Sequence, residues 1–301
     1  MNDVHKNPSR APYPSRFTLP EATKPYPSLL DFLISRFPRL NREGLKQRLQ
    51  AGEITTVTGE AVDCNTPYKP GLQLIYYREI ENELIIPFEE RIVYSNDHIL
   101  VACKPHFLPV HPAGKYVNEC LVYRLRKRTG NDNLVLLHRL DRETAGLVLF
   151  SVNKETRGTY GDLFDNREIK KEYEAIASLP NDSSKTEWLI KSSIGTGLQW
   201  PTHANIDGEP NSETIIKLIE THNNQARFQL FPLTGRPHQL RLHLTLIGSQ
   251  ITNDRFYPTL LPDQEPEFDK PLKLLAKKLS FIDPLSGEKM KFESARTLEF
   301  D

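Results

Sequence analysis

From Ser28 onward, Leu29, Leu30, Leu33 and Phe37 recur at helical spacing, with Asp31 three residues after the serine. This predicts a helix capped by Ser28 and ended by Pro38. A second helix is predicted over 41–50, with Leu45 and Leu49 on one face, Arg42, Lys46 and Arg48 toward solvent, and Gly52 as its stop. The pattern then changes to short strands. ITTVTGEAV turns at Thr58 and Gly59, and LQLIYYR follows the Pro70–Gly71 pair, which together predict a small sheet packed on the two helices. Further on, ERIVYSNDHILVACKP reads as two strands joined at Asn96 and Asp97. LVLLHRL, GLVLFSV, KEYEAIA and ARFQLFPL read as further strands, and 155–166 and 238–248 as amphipathic helices. Strands that are sometimes adjacent and sometimes separated by helices predict an α+β fold: a catalytic-sized domain with a mainly antiparallel mixed sheet flanked by helices, plus a small N-terminal α/β module.

The boundaries follow from composition. Residues 1–25 carry Pro at 8, 12, 14, 20 and 25 with no apolar period, and are expected to be a flexible arm. The module occupies 26–80, a glutamate-rich linker 81–90, and the larger domain 91–301. The 301 residues carry 39 basic and 39 acidic side chains, so net charge offers no support for a nucleic-acid partner and any such affinity must be local. Candidate patches are Arg36–Arg48, YRLRKR at 123–128 and RPHQLRLH at 236–243. Three widely spaced cysteines suggest neither a disulfide framework nor a metal knuckle. The polar N-terminus lacks a secretory h-region, and no apolar run is long enough to span a bilayer, so a cytoplasmic monomer without membrane contact is the simplest expectation.

The most informative stretch is LLHRLDRETAGLVLF, 136–150. An apolar strand runs into His138, polar residues intervene, and Gly146 opens a second apolar run. Asp141 lies in that interruption between Arg139 and Arg142, in a positive field that favours its ionised form. Spacing alone leaves two readings open, a reactive carboxylate or an aspartate capping a turn.

HRLDRETAGLVLF resembles the signature of the RluA-like RNA pseudouridine synthases, HRLD followed after two residues by TSGLLLFA, with Ala145 replacing the usual Ser. KKEYEAIA at 170–177 resembles the family's KxYxA segment, and LTGRPHQLRLHL at 233–244 its TGRxHQIRxH segment. CKPHFLPVHP at 103–112 is similar to the strand and loop that open the catalytic domain. GSQITNDRFYP at 248–258 is similar to a GxPIxGDxxY turn, with Asn253 where the family has Gly before Asp254. The resemblance implies Asp141 as catalytic carboxylate, Tyr173 as active-site tyrosine and Arg241 as the arginine paired with Asp141. It also implies that the target uridine is flipped out, with Arg139 filling the gap, and that no cofactor or metal is needed. His138, Arg142, Arg236, His238 and Gln239 are further candidates for RNA contact. The helix, helix, hairpin order of 26–78 resembles the RNA-binding module named after ribosomal protein S-four, which would make Arg42, Lys46 and Arg48 RNA-binding residues and favour ribosomal over transfer RNA.

Two rival readings are weaker. A metal hydrolase built on His138, His238 and His243 lacks HExxH, DxD and cysteine signatures, and a spacing of five misaligns His238 and His243 on a helix. A non-catalytic RNA-binding protein of the same fold would be expected to have lost Asp141, Tyr173 or Arg241, and all three are present.

Overall fold

The computed structural model describes residues 9–24, 26–38, 40–182 and 184–301. It divides into two compact units: residues up to Leu84 together with Ala113–Asn118, and Ile85–Pro112 together with Glu119–Asp301.

The first unit contains β1 (Ser9–Arg10), β2 (Ser15–Thr18), α1 (Leu29–Arg36), α2 (Arg42–Gln50), β3 (Ile54–Thr56), β4 (Gln73–Tyr76) and β5 (Glu79–Ile80). The Ser28 hydroxyl accepts from the Asp31 N–H, and the Asn41 side chain accepts from the Gly44 N–H, so both expected helix starts are capped by side chains. Leu29, Leu30, Leu33, Leu45, Leu49, Ile54 and Leu74 make one buried cluster beneath a sheet ordered β2-β4-β3.

The expected arm needs correction over its described part, residues 1–8 and Pro25 lying outside the described residues. β2 pairs with β4, while Phe17 and Leu19 pack into the cluster. Alternation over two apolar residues is too short to register as a period, and the prolines flanking it masked a strand. The expected linker is also tied down. Glu83 accepts from the N–H groups of Val117 and Asn118, and Glu90 is buried beside Arg124 and Arg128.

The second unit is built on β6 (Arg91–Ser95), β7 (Ile99–Lys104), α3 (Leu121–Thr129), β8 (Val135–Leu136), β9 (Ala145–Ser151), α4 (Arg157–Asp165), β10 (Lys170–Ser178), β11 (Glu187–Thr196), β12 (His203–Ile206), β13 (Ser212–His222), β14 (Gln225–Pro232), α5 (Gln239–Leu246), β15 (Leu274–Ile282) and β16 (Lys289–Glu293). The sheet order is β12-β11-β13-β14-β10-β15-β9-β7-β6, with β16 on β15 and β8 on β9. Its pairings are antiparallel except β15 with β9. The parallel crossing is close: a Cβ on Gly146, which has φ 116°, would lie 2.2 Å from the Ala276 carbonyl oxygen, so the glycine opening β9 is sterically required. β7 and β9 are buried at every position, as expected of strands central to a large sheet.

Helix α3 was unforeseen, because its arginines read as a charge patch. Arg124 donates to the carbonyls of Ile86 and Phe88 and pairs with Glu119, Arg126 donates to Leu134, and Arg128 to Glu90. The three arginines of the YRLRKR run are therefore bonded within the chain.

Candidate active site

Asp141 follows β8 in a short turn closed by the Thr144 N–H donating to the Asp141 carbonyl. Two side chains from the end of β7 hold this turn. Lys104, fully buried, donates to the carbonyls of Pro105, Leu108 and Arg142, and His106 bonds the Glu143 carbonyl at 2.7 Å. Three carbonyls use all three ammonium protons. Burial pushes the Lys104 pKa down to about 7 against the pull of Glu143 and Asp141, and burial lowers that of His106 to about 4. The KPH sequence thus serves as a bracket for the turn.

Arg241 lies on α5 and is 1% exposed. Its Nε donates to Oδ2 of Asp254 at 2.8 Å and its Nη2 to Oδ1, a fork-to-fork pair in which both partners are buried. Its Nη1 stands 3.7 Å from Oδ2 of Asp141 and is buried without a hydrogen-bond partner. The guanidinium lies over the rings of Phe256 and Tyr257 at 4.6 and 5.2 Å. Burial disfavours its charge, but Asp254 more than offsets this, and its pKa is raised above the ordinary arginine value.

The expected pairing of Arg241 with Asp141 is therefore an electrostatic approach, while the hydrogen-bonded partner is Asp254. Asp254 lies in the segment that departs from the family's turn at Asn253. Asn253 takes the left-handed conformation there, φ 64°, which asparagine tolerates better than other non-glycine residues, so the departure from glycine is accommodated.

Asp141 lines a cleft of about 570 Å³ together with Arg139, Arg167, Lys171, Tyr173, Arg236 and His238. Tyr173 lies on β10 where the register with β15 shifts between Glu172 and Tyr173, a bulge of the kind that re-aims a side chain. Burial, with the charge of Asp141 adding, pushes its phenol well above the usual pKa, so it stays protonated. Asp141, Tyr173 and Arg241, expected from three separate motifs, thus meet at one place.

The other expected residues divide. Arg139 is exposed at the cleft and its side chain makes no hydrogen bond or ion pair among the described residues. Arg236 lines the cleft and donates through Nε to the Asn211 carbonyl. His238 has its Nε2 3.9 Å from Oδ1 of Asp141. Gln239 is spent internally: its oxygen accepts from Thr234 and the Arg236 N–H, and its nitrogen donates to Glu213 and Thr214. His138 accepts the Leu149 N–H on Nε2 and stacks on Phe164, and burial lowers its pKa to about 3. Arg142 is paired with Glu143. Gln239, His138 and Arg142 thus each have partners within the chain. His243, buried among Thr214, Ser192 and Ser212, has its own, so the three histidines of the metal-hydrolase reading have separate partners.

Two cations were missed. Arg167 follows α4 in a left-handed conformation, φ 59°, a position that glycine or asparagine usually fills. Lys171 lines the cleft, and burial alone lowers its pKa. Neither side chain has a hydrogen bond or ion pair among the described residues. The first K of KxYxA was the available signal for Lys171; nothing in the sequence pointed to Arg167.

A model of the family described as RNA pseudouridylate synthase matches residues 98–246, which include Asp141, Tyr173 and Arg241. The chain belongs to this family. It is 27% identical over 266 residues to the ribosomal large subunit pseudouridine synthase C of Vibrio cholerae, covering 85% of this chain and 80% of that one. It is 26% identical over 236 residues to the mitochondrial tRNA pseudouridine(32) synthase of Saccharomyces cerevisiae, covering 76% of this chain and spanning half the length of the yeast protein. The structure of human RNA pseudouridylate synthase domain containing 1 aligns with a TM-score of 0.56 over 69% of this chain and 84% of that chain, at 23% identity, and so shares the family's fold.

Proposed function

We propose that this protein isomerises uridines in RNA to pseudouridine, with Asp141 as the reactive carboxylate. The observation that carries the reading is the pairing of a partly exposed carboxylate, 22% exposed, with a buried arginine nitrogen that has no other partner. An unpaired buried donor is costly, and it is tolerated where it serves a reacting group.

The reaction breaks the bond from the uracil nitrogen to the ribose, turns the base and rejoins it through carbon 5, whose proton is released. Asp141 either attacks the sugar or takes a proton from it. Arg241, immobilised by Asp254, keeps the carboxylate aimed. Tyr173 has a ring that can stack on the detached uracil and a protonated hydroxyl that can donate to it. Its raised pKa makes it a poor base for the carbon 5 proton unless its own proton has somewhere to go. Extruding the uridine costs a few kcal/mol, and the unpartnered Arg139 is suited to filling the vacated stack.

The cleft's charge supports an RNA substrate despite the chain's formal net charge of zero. Arg167, Lys171 and Arg236 are proposed to meet the phosphates on either side of the flipped nucleotide. Ribosomal RNA is placed ahead of transfer RNA because the Vibrio relative matches over more of both chains than the yeast relative does. The first unit, with two capped helices against a three-stranded sheet, is proposed as an accessory RNA-binding module of the ribosomal-protein-S-four kind, which would suit a large structured RNA.

The test is tritium release from bulk cellular RNA labelled at uridine carbon 5, with wild type and Asp141→Asn compared. Release by wild type and its loss by at least about a thousandfold in the variant are expected. Equal release by both would remove Asp141 from the chemistry, and no release by either would remove the activity. Sequencing of the modified positions then assigns the RNA.

A further inference from the structure

His238 is built into the site more elaborately than a backbone contact to RNA requires. It precedes α5 in a left-handed conformation, φ 55° and ψ 16°, which is uncommon for a residue with a Cβ. Its side chain is 11% exposed, and its ring packs against His203, Phe256 and Tyr257. Nδ1 lies 2.8 Å from the Tyr257 hydroxyl, and Nε2 lies 3.9 Å from Oδ1 of Asp141. On the other side of the carboxylate, Nη1 of Arg241 lies 3.7 Å from Oδ2. Each oxygen of Asp141 therefore faces one nitrogen, just beyond hydrogen-bond distance.

The hydrogen bonds of Tyr257 allow two tautomers of His238, and the carboxylate facing Nε2 selects between them. Its hydroxyl accepts from the His203 N–H at 2.8 Å and has one proton to give, either to the His203 carbonyl at 3.1 Å or to Nδ1 of His238 at 2.8 Å. Were the proton given to His203, Nδ1 would have to carry a hydrogen of its own, and a neutral ring would turn a bare lone pair toward a carboxylate. Giving it to Nδ1 places the ring hydrogen on Nε2, where it faces Oδ1. Burial lowers the pKa of His238 although Asp141 raises it, consistent with a neutral ring.

We propose that His238 is a positioning residue for Asp141. Its Nε2–H, set by Tyr257, holds Oδ1 while Arg241 holds Oδ2, so that the plane of the carboxylate is fixed when a uridine enters the cleft. The inference rests on the reading of Asp141 as the reactive carboxylate, and it replaces the RNA-backbone role expected for His238. At 3.7 and 3.9 Å both contacts are open in the free enzyme, and because each carboxylate oxygen has two lone pairs, closing both still leaves one on each oxygen for the reaction. Such contacts are commonly long in the free enzyme and tighten in the complex.

The experiment measures tritium release from the same carbon-5-labelled bulk RNA at limiting and saturating RNA, with melting temperatures, for wild type, His238→Ala, His238→Gln and Tyr257→Phe. Glutamine can place an amide N–H near the position of Nε2, and alanine cannot. The Ala variant is expected to lower the saturating rate about 30-fold or more with half-saturating RNA within about twofold of wild type. Gln is expected to return to within about fivefold of wild type, and Tyr257→Phe, still folded at the assay temperature but with a lowered melting temperature because the His203 N–H loses its acceptor, to fall about tenfold. If Ala unfolds the protein, the Gln and Phe rates decide. The proposal is overturned if Ala keeps the wild-type saturating rate, if Ala raises half-saturating RNA alone as a backbone contact would, if Gln is no faster than a folded Ala variant, or if Phe equals wild type. Activity of the wild type in the same assay keeps these outcomes apart from failure of the underlying reading, since a wild type that releases no tritium removes that reading and this inference together.

Discussion

Two groups of basic residues in the second unit have opposite fates. Arg124, Arg126 and Arg128 are close in sequence, lie on α3, and are bound to carbonyls or carboxylates of their own chain. Arg139, Arg167 and Lys171 are scattered in sequence, come together at the cleft, and have no intramolecular partner among the described residues. A run of charge on one strip of sequence is easily met by the protein itself. Charges left unpaired after the chain has folded are those whose partner must come from outside. This contrast supports the cleft as the RNA site more strongly than the count of basic residues does.

The largest expected effect breaks the contrast from the structural side. Replacing Arg124 with Ala removes donors from Ile86 and Phe88, takes a charged partner from Glu119 and leaves Glu90 with Arg128. Loss of one partner from such a network is expected to cost about 3 kcal/mol, read from urea unfolding. The salt dependence of RNA binding by the folded variant should match wild type. A shallower salt slope would show that α3 touches phosphate after all.

The histidines sharpen the same contrast, because His106, His138 and His243 are committed to the frame and held neutral by burial at about 4, 3 and 4. Their folded values lie below the ordinary value of about 6.5. The unfolded chain therefore takes up protons that the folded chain refuses as pH falls below about 6.5, and stability is lost from there toward pH 4. Each is expected to contribute about 1–2 kcal/mol of loss by pH 5, measured as urea unfolding at pH 7 and 5. His138→Gln, which can still accept the Leu149 N–H, should flatten that dependence. An unchanged dependence would remove His138 from the account.

How much of this was legible follows from where each residue's partners lie. The Ser28 cap of α1 depends on a neighbour three residues away and was readable, and the start of α2 was placed at Asn41 without its capping role. Asp141, Tyr173 and Arg241 were readable as members of a familiar pattern, and the fold brings them to one cleft. The Asp254 fork, the four bonds of Gln239 and the Leu149 N–H on His138 join residues that periodicity does not connect. The strand at Ser15–Thr18 and helix α3 were hidden for a different reason: prolines and arginines suggested solvent exposure before the short apolar pattern could suggest burial.

Of smaller size is the effect of removing the unpaired cations. Arg167→Ala and Lys171→Met are each expected to weaken RNA binding by about 1 kcal/mol and to reduce the salt slope by about 0.7–0.9. Stability should move the other way for Lys171, since methionine keeps the stem and relieves the desolvation of a buried charge, raising the melting temperature slightly. A fall in melting temperature together with an unchanged salt slope would mean that Lys171 is structural, like the α3 arginines.

The smallest effect concerns α2, whose cations fall between the two extremes. Arg48 is committed, donating to Glu53 and the Tyr77 carbonyl at 2.8 Å each. Arg42 and Lys46 are more exposed and make only loose pairs, with Asp31 at 3.7 Å and Glu43 at 3.4 Å. Exposed pairs of this kind contribute about 0–1 kcal/mol, so the double change Arg42→Ala with Lys46→Ala should leave unfolding within about 0.5 kcal/mol of wild type. If the first unit binds RNA, the two losses should lower the salt slope by about one to two, because loose pairs are readily exchanged for phosphate. The slope is the decisive reading: if it is unchanged, α2 belongs with α3 as scaffolding, and RNA recognition rests on the cleft.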